Sequence, residues 1–256
     1  MDISQQNNWI VNWIKNYIQN CNQETLIVGV SGGIDSALTS TLCAKTNFKT
    51  IVVSLPIHQN ISELKNAEEH IQWLCNNYKN VQNITIDLSN LFNTYKSSIP
   101  KQFHSKLGLA NTKARLRMTT LYQIATKKNG LVVGTGNKIE DFGIGFFTKY
   151  GDGGVDISPI ADLTKTEVSK LAMFCGVNQN ILNAPPTDGL WEDSKTDEEQ
   201  IGATYKELEW AMGYKEKSSI SHRQKKVLEI YNDFHTKNQH KMKPIPICII
   251  PKSSSD

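Results

Sequence analysis

The chain lacks the features that mark several protein classes. Its 256 residues include five cysteines, Cys21, Cys43, Cys75, Cys175 and Cys248, with no CxxC pair and no histidine cluster. An odd number at wide spacing argues against a disulfide-stapled fold and against a zinc or iron–sulfur centre, so reduced thiols in the cytoplasm are expected. The amino terminus, MDISQQNN, does not show the basic-then-apolar pattern of a secretory signal, and no apolar run is long enough to cross a bilayer. A basic stripe is missing too. The net charge of +3 is spread along the chain, which suits an anionic small substrate and gives little support to nucleic-acid or membrane binding.

With 39% hydrophobic and 21% charged residues, residues 1–256 can form one large α/β domain with a substantial core. Trp9, Ile10, Trp13, Ile14, Tyr17 and Ile18 recur at helical spacing, so the chain opens with an amphipathic helix. Strand-like runs at 25–30, 50–55, 83–88 and 131–134 alternate with helical stretches at 36–46, 62–78 and 105–128, the second capped by Ser62. The alternation predicts a mostly parallel, Rossmann-like sheet with helices on both faces and a nucleotide at the carboxyl ends of the strands. Further helices are expected at 164–175, 197–212 and 221–234, with Thr196 and Glu199 as a capping box.

Residues 27–37, IVGVSGGIDSA, carry the most chemistry: a buried-strand run, two glycines, then the start of a helix. Backbone N–H groups in such a turn point outward unpaired, and the helix dipole adds partial positive charge. Gly32 and Gly33 would spare an approaching anion two Cβ atoms. Asp35 is the odd member, because a carboxylate beside a polyphosphate is repulsive unless a cation bridges them; it reads as a Mg²⁺ ligand at an ATP pyrophosphate site. The alternative is a plain strand-to-helix turn with a capping residue. No lysine stands where a GxxxxGK[ST] loop would have one.

Of 16 glycines, eight fall between Gly130 and Gly154 and three in the first loop, a bias that argues for close backbone approach to ligands. GTGNKIE ends the fourth strand and brings Thr135, Asn137 and Glu140 to the nucleotide edge, where Glu140 would pair with Asp35 on the metal. FFTKYGDGGVDISP interleaves Lys149, Asp152 and Asp156 with glycines; a charged loop of this kind in a compact domain is functional or disordered, and its aromatics favour the former. NTKARLRM offers Lys113, Arg115 and Arg117 on a helix without a clean polar face. Lys165, at a helix start, is disfavoured by the dipole unless an anion neutralises it. Solvated surface charge is the competing reading at each of these positions.

SGGIDS behind a strand resembles the PP-loop ATP pyrophosphatases, which adenylate a carbonyl or carboxyl oxygen and expel pyrophosphate. The ordered set SGGIDS, NTKARLRM, GTGNKIE, FFTKYGDGGVDISPI, LTKTEV, PPTDGLW and QHKMKP is similar to the motifs of the NAD synthetase family in its short, ammonia-dependent form. That resemblance covers residues 29–244. It implies ATP-dependent amidation of deamido-NAD to NAD through an acyl-adenylate, with release of AMP and pyrophosphate. It also implies ATP contacts from Gly29, Val30, Ser31, Gly32, Gly33, Ile34, Asp35 and Ser36, and from Thr135, Lys165 and Thr187. Arg115, Lys149, Asp156, His240 and Lys241 would meet deamido-NAD, and Asp35 and Glu140 would hold Mg²⁺. Asp156 or Asp152 is the candidate to take a proton from ammonium, so the expected catalytic group is Asp35, Lys149, Asp152 and Asp156.

A homodimer is implied as well, and the Trp9/Trp13 helix is either part of its interface or a core helix. With about 25 residues before the first strand, no glutamine amidohydrolase domain is expected, so free ammonia would be the nitrogen donor. Two departures from the family pattern stand out: one extra residue between Glu140 and Lys149, and unusual wording at 188–196. The competing functions are a tRNA-modifying PP-loop enzyme and a non-catalytic nucleotide sensor.

Overall fold

A computed structural model describes residues 1–187, 196–215 and 219–250. Strands β1 (Thr25–Gly29), β2 (Lys49–Ser54), β3 (Val81–Thr85) and β4 (Gly130–Val133) form one parallel sheet in the order β3-β2-β1-β4. Parallel neighbours cannot be joined by tight hairpins, so each connection carries helix. These are α2 (Ile34–Lys45), α3 (Ile61–Asn77), and then α4 (Ser89–Ser98) with α5 (Lys106–Lys128). The opening helix is α1 (Ile3–Asn20).

The strand residues divide by parity. Leu26 and Val28 of β1 join Ile14 and Ile18 of α1, Leu38 and Leu42 of α2, and a later helix, α6 (Lys165–Phe174). Ile27, between them, faces the opposite side with Ile51, Val53 and Ala125 of α5. Both faces are covered, which is why β1 is apolar throughout rather than alternating. A further apolar cluster brings α8 (Asp197–Ile201), α9 (Tyr205–Gly213) and α10 (His222–Met242) around Ile139 and Ile144. Between α6 and α8 lies the single turn α7 (Gln179–Leu182).

Several elements differ from the sequence expectation. The helix expected at 197–212 is two helices, because Gly202 ends α8 with φ at 86° and its N–H donates to Glu198 O. The last helix continues to Met242 rather than stopping at 234. Asn60, not Ser62, caps α3, and β3 ends at Thr85. Helix α4 escaped notice because SNLFNTYKSS buries Phe92 alone. In α1, Ile10, Ile14 and Ile18 are buried while Trp9 remains 68% exposed, so the aromatic positions form a second, outward stripe. Lys138–Ile144 is a π-helix, and its wider turn overlaps the start of the 140–149 stretch.

Candidate active site

The turn between β1 and α2 opens on a cavity of about 670 Å³ at the carboxyl edge of the sheet. Gly29, Val30, Ser31, Gly32, Gly33, Ile34, Asp35 and Ser36 all line it, as do Thr135, Lys165 and Thr187. Every residue expected at ATP is therefore in one place. Gly33 is the N-cap of α2 and has no side chain to spend on the first-turn N–H groups, which leaves them for an anion. Gly32 also has a packing role. Its φ is 94°, and a Cβ there would collide with the carbonyl oxygen of Glu63, so the glycine lets α3 pack against the loop. Ser36 Oγ donates to Gly33 O at 2.9 Å and closes the turn from within.

Three charged side chains from distant parts of the chain meet at the cavity wall. Lys165 Nζ donates to Asp35 Oδ2 at 2.5 Å and to Glu140 Oε1 at 2.9 Å. Asn137 Nδ2 donates to Asp35 Oδ1 at 3.1 Å, while Asn137 Oδ1 accepts from the N–H groups of Ile139 and Glu140 and caps the π-helix. Tyr205 Oη donates to the same Glu140 oxygen at 2.5 Å, and the Lys165 ammonium lies 4.8 Å from the centre of the Tyr205 ring. Burial raises Asp35, with Lys165 drawing it back and Glu140 adding to the rise. Burial also opposes the Glu140 charge, but Lys165 and Tyr205 outweigh it and hold Glu140 below its ordinary value. Lys165 stays an ammonium for the complementary reason: its two carboxylates overcome the cost of burial.

The cavity wall carries more carboxylate than cation. Asp35, Glu63, Glu140, Asp141, Asp152, Asp197 and Glu198 line it against Arg117, Lys165 and Lys206. Asp141 is held well above the usual carboxylate range by burial and by Glu140, Asp152 and Asp35 around it. A nucleotide polyphosphate fits such a wall only with a multivalent cation between them, so the residues present suit Mg²⁺. Among the described residues no three His, Cys, Asp or Glu side chains form a protein-only metal cage. Mg²⁺ does not need one, since it keeps waters and phosphate oxygens and takes one or two carboxylates.

The residues expected at the acyl substrate fall into two groups. Arg115, Lys149, His240 and Lys241 come together beyond the cavity lining, where the end of α10 meets the 146–150 segment. Lys149 Nζ donates to His240 O at 2.5 Å, Lys241 Nζ to Gly145 O and Phe147 O, and Arg115 Nη2 to Lys149 O at 3.3 Å. Burial pushes the Lys241 ammonium down, with Asp152 acting against that and Lys237 reinforcing it. Asp156 does not join them. Its two oxygens accept from Tyr122 Oη at 3.0 Å and from the backbone N–H of Val132 at 2.7 Å, so it clamps the end of β4. Asp152, by contrast, lines the cavity and accepts from the Thr148 N–H. Of the two acids, Asp152 lines the cavity and Asp156 does not. Residues 188–191 of the PPTDGLW motif, and 192–195 of the unusual 188–196 stretch, lie outside the described residues.

Sequence reasoning missed Glu63, Asp141, Asp197 and Tyr205, and it weighted Arg115 over Arg117. Arg117 lines the cavity and its Nε donates to Leu55 O at 2.9 Å. Glu63 Oε1 accepts from Thr187 Oγ1 at 2.6 Å across 124 residues of chain, a pairing with no local signature. Asp141 directly follows GTGNKIE and Asp197 follows the Thr196 cap, which was the available hint for those two; Glu63 had none.

The model of the NAD synthase family matches residues 6–245. The chain belongs to that family. It is 39% identical over 230 residues to an NH(3)-dependent NAD(+) synthetase of Carboxydothermus hydrogenoformans, a match covering 88% of each chain. Among solved structures it resembles the NMN synthetase of Francisella tularensis, with a TM-score of 0.86, 32% identity and coverage of 98% and 99% of the two chains. The NH3-dependent NAD synthetase of Campylobacter jejuni has the same fold, with a TM-score of 0.79, 24% identity and coverage of 97% and 100%. As an NAD synthase family member the chain is a ligase of NAD biosynthesis, and among its described residues no helix is long and apolar enough to cross a membrane.

Proposed function

We propose that this chain amidates deamido-NAD with ammonia at the expense of ATP, giving NAD, AMP and pyrophosphate. The observation that carries the reading is the meeting of Asp35, Lys165 and Glu140 beside the uncapped start of α2, in a cavity that holds every expected ATP contact. The N–H groups of the 31–36 turn bind the phosphates. Lys165 keeps Glu140 charged, favours the charged form of Asp35 against burial, and holds both in place for Mg²⁺, which would screen the phosphates and stabilise charge on the departing pyrophosphate. A nicotinate carboxylate repels a nucleophile; transfer of AMP to one of its oxygens makes it a good acceptor. Ammonium first gives a proton to Asp152, the ammonia that remains attacks the acyl carbon, and AMP leaves as the nitrogen sheds a second proton to water. On this reading Lys149, Lys241 and Arg115 would meet the dinucleotide's own phosphates.

The same reading takes ammonia rather than glutamine as donor, within a single ligase domain, because the curated relatives are NH(3)-dependent enzymes of similar length. It places the protein in the cytoplasm, where its free cysteines stay reduced. It takes the working form to be a homodimer, supported by the exposed apolar side chains of Leu91 and Tyr95 on α4, Phe103 in the turn that follows and Leu107 on α5.

A second reading has a specific observation behind it. The likeness to an NMN synthetase is close in both fold and sequence, and it favours a mononucleotide as the acyl substrate. One assay separates the two: pyrophosphate release with deamido-NAD or nicotinate mononucleotide, each with ammonium or glutamine. Faster turnover of deamido-NAD with ammonium is expected. A preference for the mononucleotide would replace the dinucleotide reading, and turnover with glutamine alone would overturn the nitrogen assignment.

A further inference from the structure

Tyr205 has no place in the motifs that mark the ATP site, yet it makes the shortest side-chain contact to Glu140 together with Lys165's cation–π contact. It is the first residue of α9, reached only because Gly202 breaks α8 from α9 and turns the chain back toward the cavity. Two contacts hold the start of α9 there. The Tyr205 N–H donates to Glu198 Oε1 at 2.8 Å, and the Thr204 side chain closes a capping box with Glu207. The side chain itself is buried, 5% exposed, with its hydroxyl 3.3 Å from Asp197 Oδ2 as well as 2.5 Å from Glu140 Oε1.

The geometry divides the tyrosine into two working parts. The hydroxyl meets Glu140 on Oε1, the oxygen that Lys165 also uses, so both donors hold the carboxylate from one side. The ring face lies under the Lys165 ammonium, where its quadrupole attracts the charge without competing for the ammonium protons. A Glu on a π-helical turn gains its aim from such outside support. Asp35 has Asn137 for the same purpose.

We propose that Tyr205 is a positioning residue of the ligase reaction, clamping Glu140 through its hydroxyl and carrying Lys165 on its ring, so that the α8–α9 segment sets the geometry of the carboxylate that would hold the metal. This rests on the functional reading above. It makes α9, which contributes nothing to the phosphate loop, part of the nucleotide site.

Tyr205→Phe keeps the ring and removes the hydroxyl, so it isolates the clamp. Loss of a hydrogen bond to a charged group predicts an apparent Mg²⁺ requirement raised about ten-fold or more, with turnover recovering toward wild type at high Mg²⁺. The readout apart from activity is calorimetric ATP binding with and without Mg²⁺, no acyl substrate being present: the tightening that Mg²⁺ causes in the wild type should shrink by a similar factor. Glu140→Gln alone and the double variant complete a cycle, and the double should be no worse than Glu140→Gln, because both changes remove the same interaction. An unchanged Mg²⁺ dependence in Tyr205→Phe, or independent losses in the cycle, would overturn the proposal. If Tyr205→Phe fails to fold, Tyr205→Leu, which also lacks the hydroxyl, carries the same Mg²⁺ comparison. If the wild type itself binds ATP without any help from Mg²⁺, the functional reading falls first and independently of the variants.

Discussion

Lys165 Nζ lies 2.5 Å from Asp35 Oδ2, although 130 residues of chain separate them. The contact joins the start of α6 to the start of α2, two helix N-termini whose dipoles would favour the aspartate and disfavour the lysine. The lysine is tolerated because it faces two carboxylates, Asp35 and Glu140, rather than solvent. Lys165→Met would leave those carboxylates together without a cation. The expected cost is about 2–3 kcal/mol of unfolding free energy at neutral pH, less than for a fully enclosed pair because the cavity admits water. Denaturant unfolding at pH 7 measures it. The cost should shrink in acid, where protonation removes the repulsion.

Asp35→Asn retains size and the amide partner of Asn137 but loses the charge that would face Mg²⁺. Turnover should fall about 100-fold or more at fixed ATP while the thermal midpoint holds or rises, since burial disfavours the carboxylate in the first place. Initial rates across a Mg²⁺ series, paired with a melting curve, decide it.

Arg117→Ala and Arg115→Ala should differ in kind. Arg117 lines the ATP cavity, so its loss should raise the KM for ATP about ten-fold. Arg115 is tied to Lys149 O outside that lining, so its loss should act on the acyl substrate and leave ATP nearly unaffected. Initial rates with each substrate varied in turn separate the two, and a matching pattern for both variants would contradict the placement.

His70 supplies a pH dependence remote from the reaction. Its ring is buried, stacked on Trp73 at 5.7 Å, and its Nε2 lies 3.0 Å from Ser40 Oγ. Burial pushes the imidazole down to about 4, against a smaller opposing contribution from the Ala37 backbone. A folded value below the unfolded one means the unfolded chain binds the extra proton between about 6.5 and about 4. Stability is therefore full above that window and declines as the pH falls through it, by about 3 kcal/mol in all. Below about 4 both states carry the proton and this decline stops. Unfolding curves from pH 7 to 4 should show the slope in the wild type and a flatter profile in His70→Gln.

The turn at the start of α2 was legible in the chain because it is local. Residues 27–37 carry the strand, the turn and the helix start within a dozen residues, so hydrophobic pattern and glycine spacing suffice to place an uncapped helix start there. The strands and most helices were legible for the same reason; the break at Gly202, the polar helix α4 and the polar last turns of α10 were not, because they leave little periodic signal.

What the sequence could not convey was pairing across distance. Nothing near Glu63 points to Thr187, nothing near Asp156 shows that its oxygens are taken by Tyr122 and Val132, and nothing in TYKELE sends Tyr205 to Glu140. By itself the sequence determined a parallel α/β sheet, an anion-binding turn and the set of charges available to it, because those follow from backbone geometry and short-range pattern. Only the tertiary structure decided which charges face one another. A buried carboxylate takes its partner from whatever element packs beside it, and the sheet order and helix packing that choose that element are properties of the whole chain.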